Sequence, residues 1–194
     1  MTMKASSSLL AFSFLYGLFI LKMRYSIKGG AGMSILYPDV EFDKIYDIDL
    51  NFLNEHNIKG LILDVDNTLT THNNPMPDSS VLKWLDMCRE NGIKLIILSN
   101  NTQKRVEPFA KQLGMDFVSD ALKPRKYGYE KAVEKLNLKR ENIASVGDQL
   151  LTDIAGGNRC GVLTILVQPF DTNENIFILM KRQLEKLIMK TRRK

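Results

Sequence analysis

Short apolar segments alternate with helical patterns along residues 58–167, and this alternation constrains the fold more than any other feature of the chain. Five segments have strand length and lack regular polar alternation: IKGLILDVD, IKLIILSN, MDFVSD, NIASVGD and GVLTILV. Strands of this kind are buried on both faces, which is typical of a parallel sheet covered by helices. We therefore predict an α/β fold with a central parallel sheet of about five strands.

The helices between these strands have recognisable ends. Pro77-Asp78 opens the first helix, where Asp78 is the expected N-cap, and Gly92 ends it. Gly114 closes the second helix. A basic amphipathic helix is predicted near the C-terminus, and it either lies on an anionic membrane or packs on the domain. Its apolar residues at helical spacing are Ile176, Phe177, Met180, Leu184, Leu187 and Ile188.

Polar side chains gather where the predicted strands end. The carboxyl ends of parallel strands meet at one edge of a sheet, and ligands bind there in open α/β folds. Asp64 and Asp66, on one side of an extended chain, should repel each other, so one of them should have a raised pKa. The residues expected at this edge are acids, a hydroxyl, two amides and a lysine: Asp64, Asp66, Asp148, Ser99, Asn100, Asn101 and Lys123.

This set of residue types suits phosphate chemistry. Asp64 and Asp148 can hold Mg²⁺ through oxygen, and an aspartate can also be a nucleophile toward phosphorus. Ser99 and Lys123 can neutralise the phosphoryl oxygens. Asp66 can protonate the leaving group and then activate water.

Two other interpretations remain open for this pair of acids. A solvated turn or a calcium loop would also contain close carboxylates, although Leu69 stands where a calcium loop has glycine. A receiver-like switch that accepts phosphate on Asp64 would share Asp64 and Lys123, but it would have no use for Asp66.

The complete ordered set resembles the four motifs of the haloacid dehalogenase (HAD) superfamily. D-x-D-x-T is followed by a serine at the next strand end, a later lysine and GDQLLTD, between Asp64 and Asp153. The resemblance implies a Rossmann-like three-layer fold and a Mg²⁺-dependent phosphatase that works through an aspartyl-phosphate. It assigns catalysis to Asp64, Asp66 and Lys123.

The same resemblance implies the ligand sets. Substrate phosphate would contact Thr68, which also supports the loop, and Ser99, Asn100 and Lys123. The metal would bind Asp64, the carbonyl of Asp66 and Asp148, with Asp153 close by or acting through another ligand.

A more specific resemblance indicates one branch of the HAD superfamily. The segments YPDVEFDKIYDID, GLILDVDNTL, LSNN, KPRK and GDQLLTDIAGGNR look like the YqeG branch of HAD subfamily IIIA, over roughly Leu36 to Val167. That branch is related to the mitochondrial phosphatidylglycerophosphate phosphatase. The resemblance implies conversion of phosphatidylglycerophosphate to phosphatidylglycerol, an anionic phospholipid substrate at a membrane surface, and a role in cardiolipin synthesis. A protein, nucleic-acid or sugar phosphate is the alternative substrate.

The spacing of the motifs predicts a capless site. Between Asp66 and Ser99 lie 32 residues, and between Asn101 and Lys123 lie 21. A loop, a helix and a strand use up these lengths, so neither can hold a cap domain. An open site suits a phosphate presented on a large surface.

The charge distribution limits the classes of binding partner, and the cysteine content indicates the redox compartment. The net charge is +5, but residues 1–32 contribute +4 and residues 181–194 contribute +6, which leaves −5 on residues 33–180. A uniformly basic nucleic-acid binder does not show this pattern, whereas an anionic membrane suits the basic ends. Two well-separated cysteines, Cys88 and Cys160, are expected to be buried thiols in a reducing compartment. We expect a cytoplasmic protein, peripheral on the inner face of the membrane.

The first 32 residues are expected to lie outside the phosphatase domain, which we place at residues 33–194. Leu9–Leu21 is an apolar run of thirteen residues, interrupted by Ser13 and Gly17, and it is shorter than the roughly 20 that span a membrane. Lys28-Gly29-Gly30 can be encoded by a ribosome-binding sequence shortly before Met33, which gives the hypothesis that residues 1–32 are translated leader. A membrane anchor and a secretory signal are the alternatives.

Overall fold

The predicted strands form one parallel sheet with an additional strand at its edge. The computed structural model describes residues 34–71, 74–171 and 176–192, and the leader predicted at residues 1–32 lies outside these ranges. The strands are β1 (Val40–Phe42), β2 (Gly60–Leu63), β3 (Lys94–Leu98), β4 (Asp116–Val118), β5 (Ile143–Gly147) and β6 (Leu163–Val167). The α/β prediction is confirmed, and β1 is the strand that it missed.

The sheet order is β1-β6-β5-β2-β3-β4, and every pairing is parallel. From β2 the chain proceeds through β3 to β4 on one side, whereas β5, β6 and β1 lie on the other. The order therefore reverses between β2 and β5, and ligands bind at such a switch point, beyond the carboxyl ends of the strands. Asp64 directly follows β2 and Asp148 directly follows β5, so the two carboxylates lie at this point.

Helices cover both faces of the sheet. The α-helices are α1 (Leu50–Glu55), α2 (Ser79–Glu90), α3 (Gln103–Gln112), α4 (Lys126–Leu136), α5 (Ala155–Cys160) and α6 (Ile176–Arg192). Short 3₁₀ turns occupy Ser34–Leu36, Ile45–Asp47 and Arg140–Asn142, and a π-helical turn occupies Leu150–Ile154. In the described ranges, β2 connects to β3 through α2, and β3 connects to β4 through α3, as a capless fold requires.

The core is divided by the sheet into two apolar clusters. Leu61 and Leu63 of β2 pack on one face with the residues of α2 and α3, whereas Ile62 packs on the other face with the residues of α4. This alternation follows from the two-residue period of a strand. All four residues of β2 are buried, which explains why its sequence shows no polar alternation.

The predicted helix ends are confirmed. Asp78 caps α2, and its carboxylate accepts hydrogen bonds from the backbone N–H groups of Ser80 and Val81 at 2.9 and 3.0 Å. Gly92 and Gly114 follow α2 and α3 with φ of 74° and 60°, a left-handed conformation that glycine adopts without strain.

The C-terminal helix packs on the domain in its described part. Ile188 and Met189 contact a small apolar cluster of Leu150, Ile154 and Leu166, and Glu185 is buried. The side chains of residues 176–180 lie outside the described set. No helix in the described ranges combines the length and the apolar character needed to cross a membrane.

Candidate functional site

Three carboxylates meet beyond the ends of β2 and β5. One oxygen each of Asp64, Asp148 and Asp153 lies within 4.8 Å of the others. Lys123 reaches into this cluster from the segment before α4, with its Nζ 2.5 Å from Asp64 Oδ1 and 2.7 Å from Asp153 Oδ1. The structure therefore brings together four of the predicted residues from three separate places in the chain.

The surroundings of Asp64 shift its titration strongly. Burial raises the pKa of Asp64 to about 7; Lys123 opposes this shift, and the nearby Asp153 adds to it. The raised pKa agrees with the prediction for the Asp64 and Asp66 pair. The physical cause differs from the expected one, because burial is the largest contribution and Asp66 only a minor one.

The other two charged groups at the centre also show shifted titration. Burial disfavours the ammonium form of Lys123, but Asp153 and Asp64 outweigh it and raise the pKa of Lys123 well above its usual range. Burial, with Asp64 and Asp153 nearby, raises the pKa of Asp148 well above its usual range, and Arg182 opposes that shift.

Backbone geometry after β5 places Asp148 and Asp153 side by side. Asp153 lies in the π-helical turn Leu150–Ile154, a conformation frequent at functional sites. A Cβ at Gly147 would lie 2.4 Å from the Cβ of Asp153, so only glycine permits this close approach. Tyr129 Oη also donates to the carbonyl of Asp153 at 2.9 Å.

Asn100 braces Lys123 through its backbone. The Lys123 N–H donates to Asn100 Oδ1 at 2.6 Å, and Asn100 Nδ2 donates to the Lys123 carbonyl at 3.2 Å. Asn100 was predicted to bind substrate phosphate, and these contacts show a role in holding the lysine. Ser99 is buried nearby, where its Oγ accepts from the Asn101 N–H at 3.1 Å.

Asp66 points into a different environment from Asp64. Its two carboxylate oxygens accept from Asn101 Nδ2 and Arg105 Nη2, both at 2.6 Å. Asp66, Ser99, Asn101 and Arg105 line a cavity of about 310 Å³. Asp64 and Asp66 both lie in the loop after β2, because that strand ends at Leu63.

Two buried oxygens in the described residues have no hydrogen-bond partner: Thr68 Oγ1 and Asp148 Oδ1. Thr68 was predicted to contact substrate phosphate, but its side chain is fully buried, in accord with its second predicted role of supporting the loop. An unpaired carboxylate oxygen is costly to bury unless a cation binds it. The all-oxygen donor set of Asp64, Asp148 and Asp153 is the kind that Mg²⁺ prefers. The residues therefore fit a hard divalent cation.

Two residues of this site were not predicted, Arg105 and Arg182. Arg105 holds Asp66 together with Asn101, and Arg182 of α6 donates from Nη2 to Asp148 Oδ2 at 2.5 Å. Arg105 is the third residue of α3, the helix that follows β3. Its place on the first turn of that helix, near the carboxyl end of the strand, was the signal that could have indicated it. Arg182 follows the last motif residue, Asp153, by 29 positions, and the motif pattern contains no signal for it.

Comparison with known proteins agrees with this geometry. The family model of the haloacid dehalogenase-like hydrolases matches residues 72–161. The chain is 40% identical over 152 residues to the probable phosphatase YqeG of Bacillus subtilis, covering 78% of this chain and 88% of that protein. It is 30% identical over 171 residues to the chloroplastic phosphatidylglycerophosphate phosphatase 1 of Chlamydomonas reinhardtii. That match covers 83% of this chain but 63% of the algal protein.

Solved structures share the fold. A 4-nitrophenylphosphatase from Thermotoga maritima superposes with a TM-score of 0.50 at 13% identity, over 63% of this chain and 91% of that one. An uncharacterised protein from Listeria monocytogenes also reaches a TM-score of 0.50, at 20% identity, over 61% of this chain and 85% of that one. From its sequence relatives, the chain belongs to the haloacid dehalogenase-like hydrolase family, as a phosphatase rather than a switch.

Proposed function

We propose that this phosphatase hydrolyses the terminal phosphate of phosphatidylglycerophosphate at a membrane surface, with Asp64 as the nucleophile. The observation that carries the chemistry is the contact of Lys123 with both Asp64 and Asp153, beside the unpaired Oδ1 of Asp148. The lipid substrate is supported by the algal relative and by an Arabidopsis thaliana phosphatidylglycerophosphate phosphatase 1, which is 25% identical over 163 residues. The chain spans 63% and 47% of the lengths of these two relatives.

The chemistry divides between two carboxylates. An oxygen of Asp64 attacks phosphorus, the bond from phosphorus to the glycerol oxygen breaks, and Asp66 gives its proton to that oxygen. Asp66 then takes a proton from water, whose oxygen attacks the aspartyl-phosphate and releases inorganic phosphate and free Asp64. Acid and base assistance of this kind is worth roughly 10²–10⁴-fold in rate.

The remaining residues of the site orient the phosphoryl group and neutralise its charge. Lys123, with its ammonium form favoured by two carboxylates, attracts the phosphoryl oxygens beside Asp64. Ser99 lines the cavity that Asp66 faces and presents its hydroxyl to the phosphate. Mg²⁺ held by Asp64, Asp148 and the Asp66 carbonyl, with Asp153 beside it, would neutralise charge on the transferred phosphoryl group.

A second feature supports a lipid substrate. A groove of about 650 Å³ runs beside Asp148, between α6 and the strand β6, and Leu187 on its border is 60% exposed. Aliphatic side chains and cationic groups share this groove, which suits the acyl part and the anionic head of one phospholipid. The lining residues used in this argument are Leu150, Leu166, Leu187, Met189, Lys186 and Lys190.

The test is phosphate release from phosphatidylglycerophosphate in mixed micelles, compared with soluble phosphomonoesters at equal concentration. We expect a strong preference for the lipid, loss of turnover in EDTA and loss of turnover in Asp64→Asn. Asp116→Asn, which changes an exposed aspartate of β4, is the matched control. Equal turnover of soluble esters would disprove the lipid assignment, and an active Asp64→Asn enzyme would disprove the nucleophile.

A further inference from the structure

The C-terminal helix α6 makes hydrogen bonds to the segment that carries two of the proposed cation ligands, Asp148 and Asp153. Arg182 donates from Nη2 to Asp148 Oδ2 at 2.5 Å and from Nη1 to the Asp148 carbonyl at 3.2 Å. Glu185, one turn further along α6, accepts from the backbone N–H of Leu151 at 3.2 Å. The helix thus contacts the side chain and the backbone of this loop at successive positions.

The contact between Arg182 and Asp148 is buried. The Arg182 side chain is 13% exposed and the Asp148 side chain is fully buried. Water therefore screens this ion pair little, and the guanidinium contacts Asp148 twice, through Nη2 at the carboxylate and through Nη1 at the backbone carbonyl. A surface ion pair of the usual kind would have neither property.

The two oxygens of Asp148 have different roles as a result. Oδ2 accepts from Arg182, whereas Oδ1 is buried and has no hydrogen-bond partner among the described residues. With Oδ2 occupied and the backbone carbonyl held by the same arginine, the carboxylate cannot rotate freely. Oδ1 is then the oxygen that remains for a cation shared with Asp64 and Asp153.

We propose that Arg182 is a positioning residue for the cation site: it fixes the Asp148 carboxylate by Oδ2 and thereby presents Oδ1 to Mg²⁺. The inference rests on the proposed function only for the presence of the cation, and it is independent of which phosphate ester is the substrate. It also gives α6 a part in the active site, although this helix lies beyond all four motifs in the sequence.

Charge balance supports the same role. Three carboxylates converge here, and the described cations in contact with them are Lys123 and Arg182. Lys123 contacts Asp64 and Asp153 but not Asp148, so Arg182 is the partner that stabilises the third carboxylate. Contacts of this type, made to a ligand rather than to the metal, typically change metal affinity by 10–100-fold when removed.

The experiment measures Mg²⁺ binding to the substrate-free full chain by isothermal titration calorimetry. We expect Arg182→Gln to weaken Mg²⁺ binding by about 10–100-fold. Arg182→Lys, which keeps the charge but loses the two-donor geometry, should show an intermediate loss. Lys83→Gln removes an exposed charge from α2 and should bind Mg²⁺ as the wild type does.

The outcomes separate this inference from the proposed function. Unchanged or tighter Mg²⁺ binding in Arg182→Gln would overturn it, since tighter binding would mean that the arginine competes with the cation. If circular dichroism shows Arg182→Gln to be unfolded, Arg182→Lys decides by the same criterion. A wild type that binds no Mg²⁺ overturns both the cation site and the role of Arg182. A wild-type protein that binds Mg²⁺ but releases no phosphate from phosphatidylglycerophosphate would disprove the lipid substrate alone.

Discussion

Asp64 and Asp66 are two positions apart in the chain and have contrasting surroundings. Asp64 is 11% exposed and contacts an ammonium group, whereas Asp66 is held by an amide and a guanidinium on the wall of a cavity. A buried carboxylate beside Lys123 suits covalent attack on phosphorus. A carboxylate on the cavity wall suits proton exchange with the leaving group and with water.

Replacement of Asp66 by asparagine tests this division of labour. Asparagine keeps the shape and the contacts to Asn101 and Arg105 in part, but it cannot carry the proton. We expect kcat to fall by roughly 10²–10⁴-fold with little change in KM. Steady-state kinetics on the preferred ester check this, and Asp116→Asn serves again as the control. A variant with wild-type kcat would show that another group moves the proton.

Residue positions at strand ends could be predicted from the sequence, and contacts made by long side chains could not. Asp64, Ser99 and Asp148 follow directly from where apolar segments stop, because the sheet brings its carboxyl ends together. Arg105 and Arg182 act through flexible side chains that start on helices. Their partners are 39 and 34 positions away in the chain, and no spacing rule connects them.

The helix α2 depends on its N-terminal cap. Asp78→Ala removes the acceptor for two backbone N–H groups, and we expect a loss of about 1 kcal/mol in the free energy of unfolding. Urea unfolding followed by fluorescence measures this, because Trp84 is the sole tryptophan and is buried in the core. Ser79→Ala, at the neighbouring exposed position, is the control and should leave stability nearly unchanged. Equal losses in both variants would show that the cap contributes nothing specific.

The exposed face of α6 should matter for lipid but not for soluble esters. Leu187→Ala shortens the most exposed apolar side chain on the proposed lipid groove. We expect a higher KM for phosphatidylglycerophosphate in micelles and unchanged kinetics on a soluble ester. Lys83→Ala, at an exposed position of α2 that does not line this groove, is the control. A parallel loss on both substrates would indicate damage to the active site instead.

The edge strand β1 shows what apolar patterning misses. It has three residues, of which Glu41 is exposed, so it presents no apolar run. Its position is fixed by hydrogen bonds next to it, where Asp39 Oδ2 accepts from the N–H and the hydroxyl of Thr164 at 2.8 and 2.9 Å. Such a strand is specified by tertiary contacts rather than by its own composition.

For the molecule as a whole, a bound cation should raise stability. Three carboxylates converge in the folded state and separate on unfolding, so Mg²⁺ at 100 times its Kd should add about 2.7 kcal/mol. For a chain of this size that corresponds to a rise in Tm of about 5–10 °C. Thermal unfolding in Mg²⁺ and in EDTA, at matched ionic strength, measures the difference. Equal Tm values would argue against a cation at this cluster.

The pairing of β1 with β6 sets the order in which the sheet can be completed during synthesis. Val40 lies beside Ile165, so β1 is synthesised 125 residues before its partner strand β6. At 5–20 residues per second, the delay between the two strands is on the order of 6–25 seconds. Strands β2, β3 and β4 have neighbours available much sooner. β1 therefore joins the sheet only after β6 has been synthesised, and until then its backbone hydrogen-bonding groups lack their partner strand.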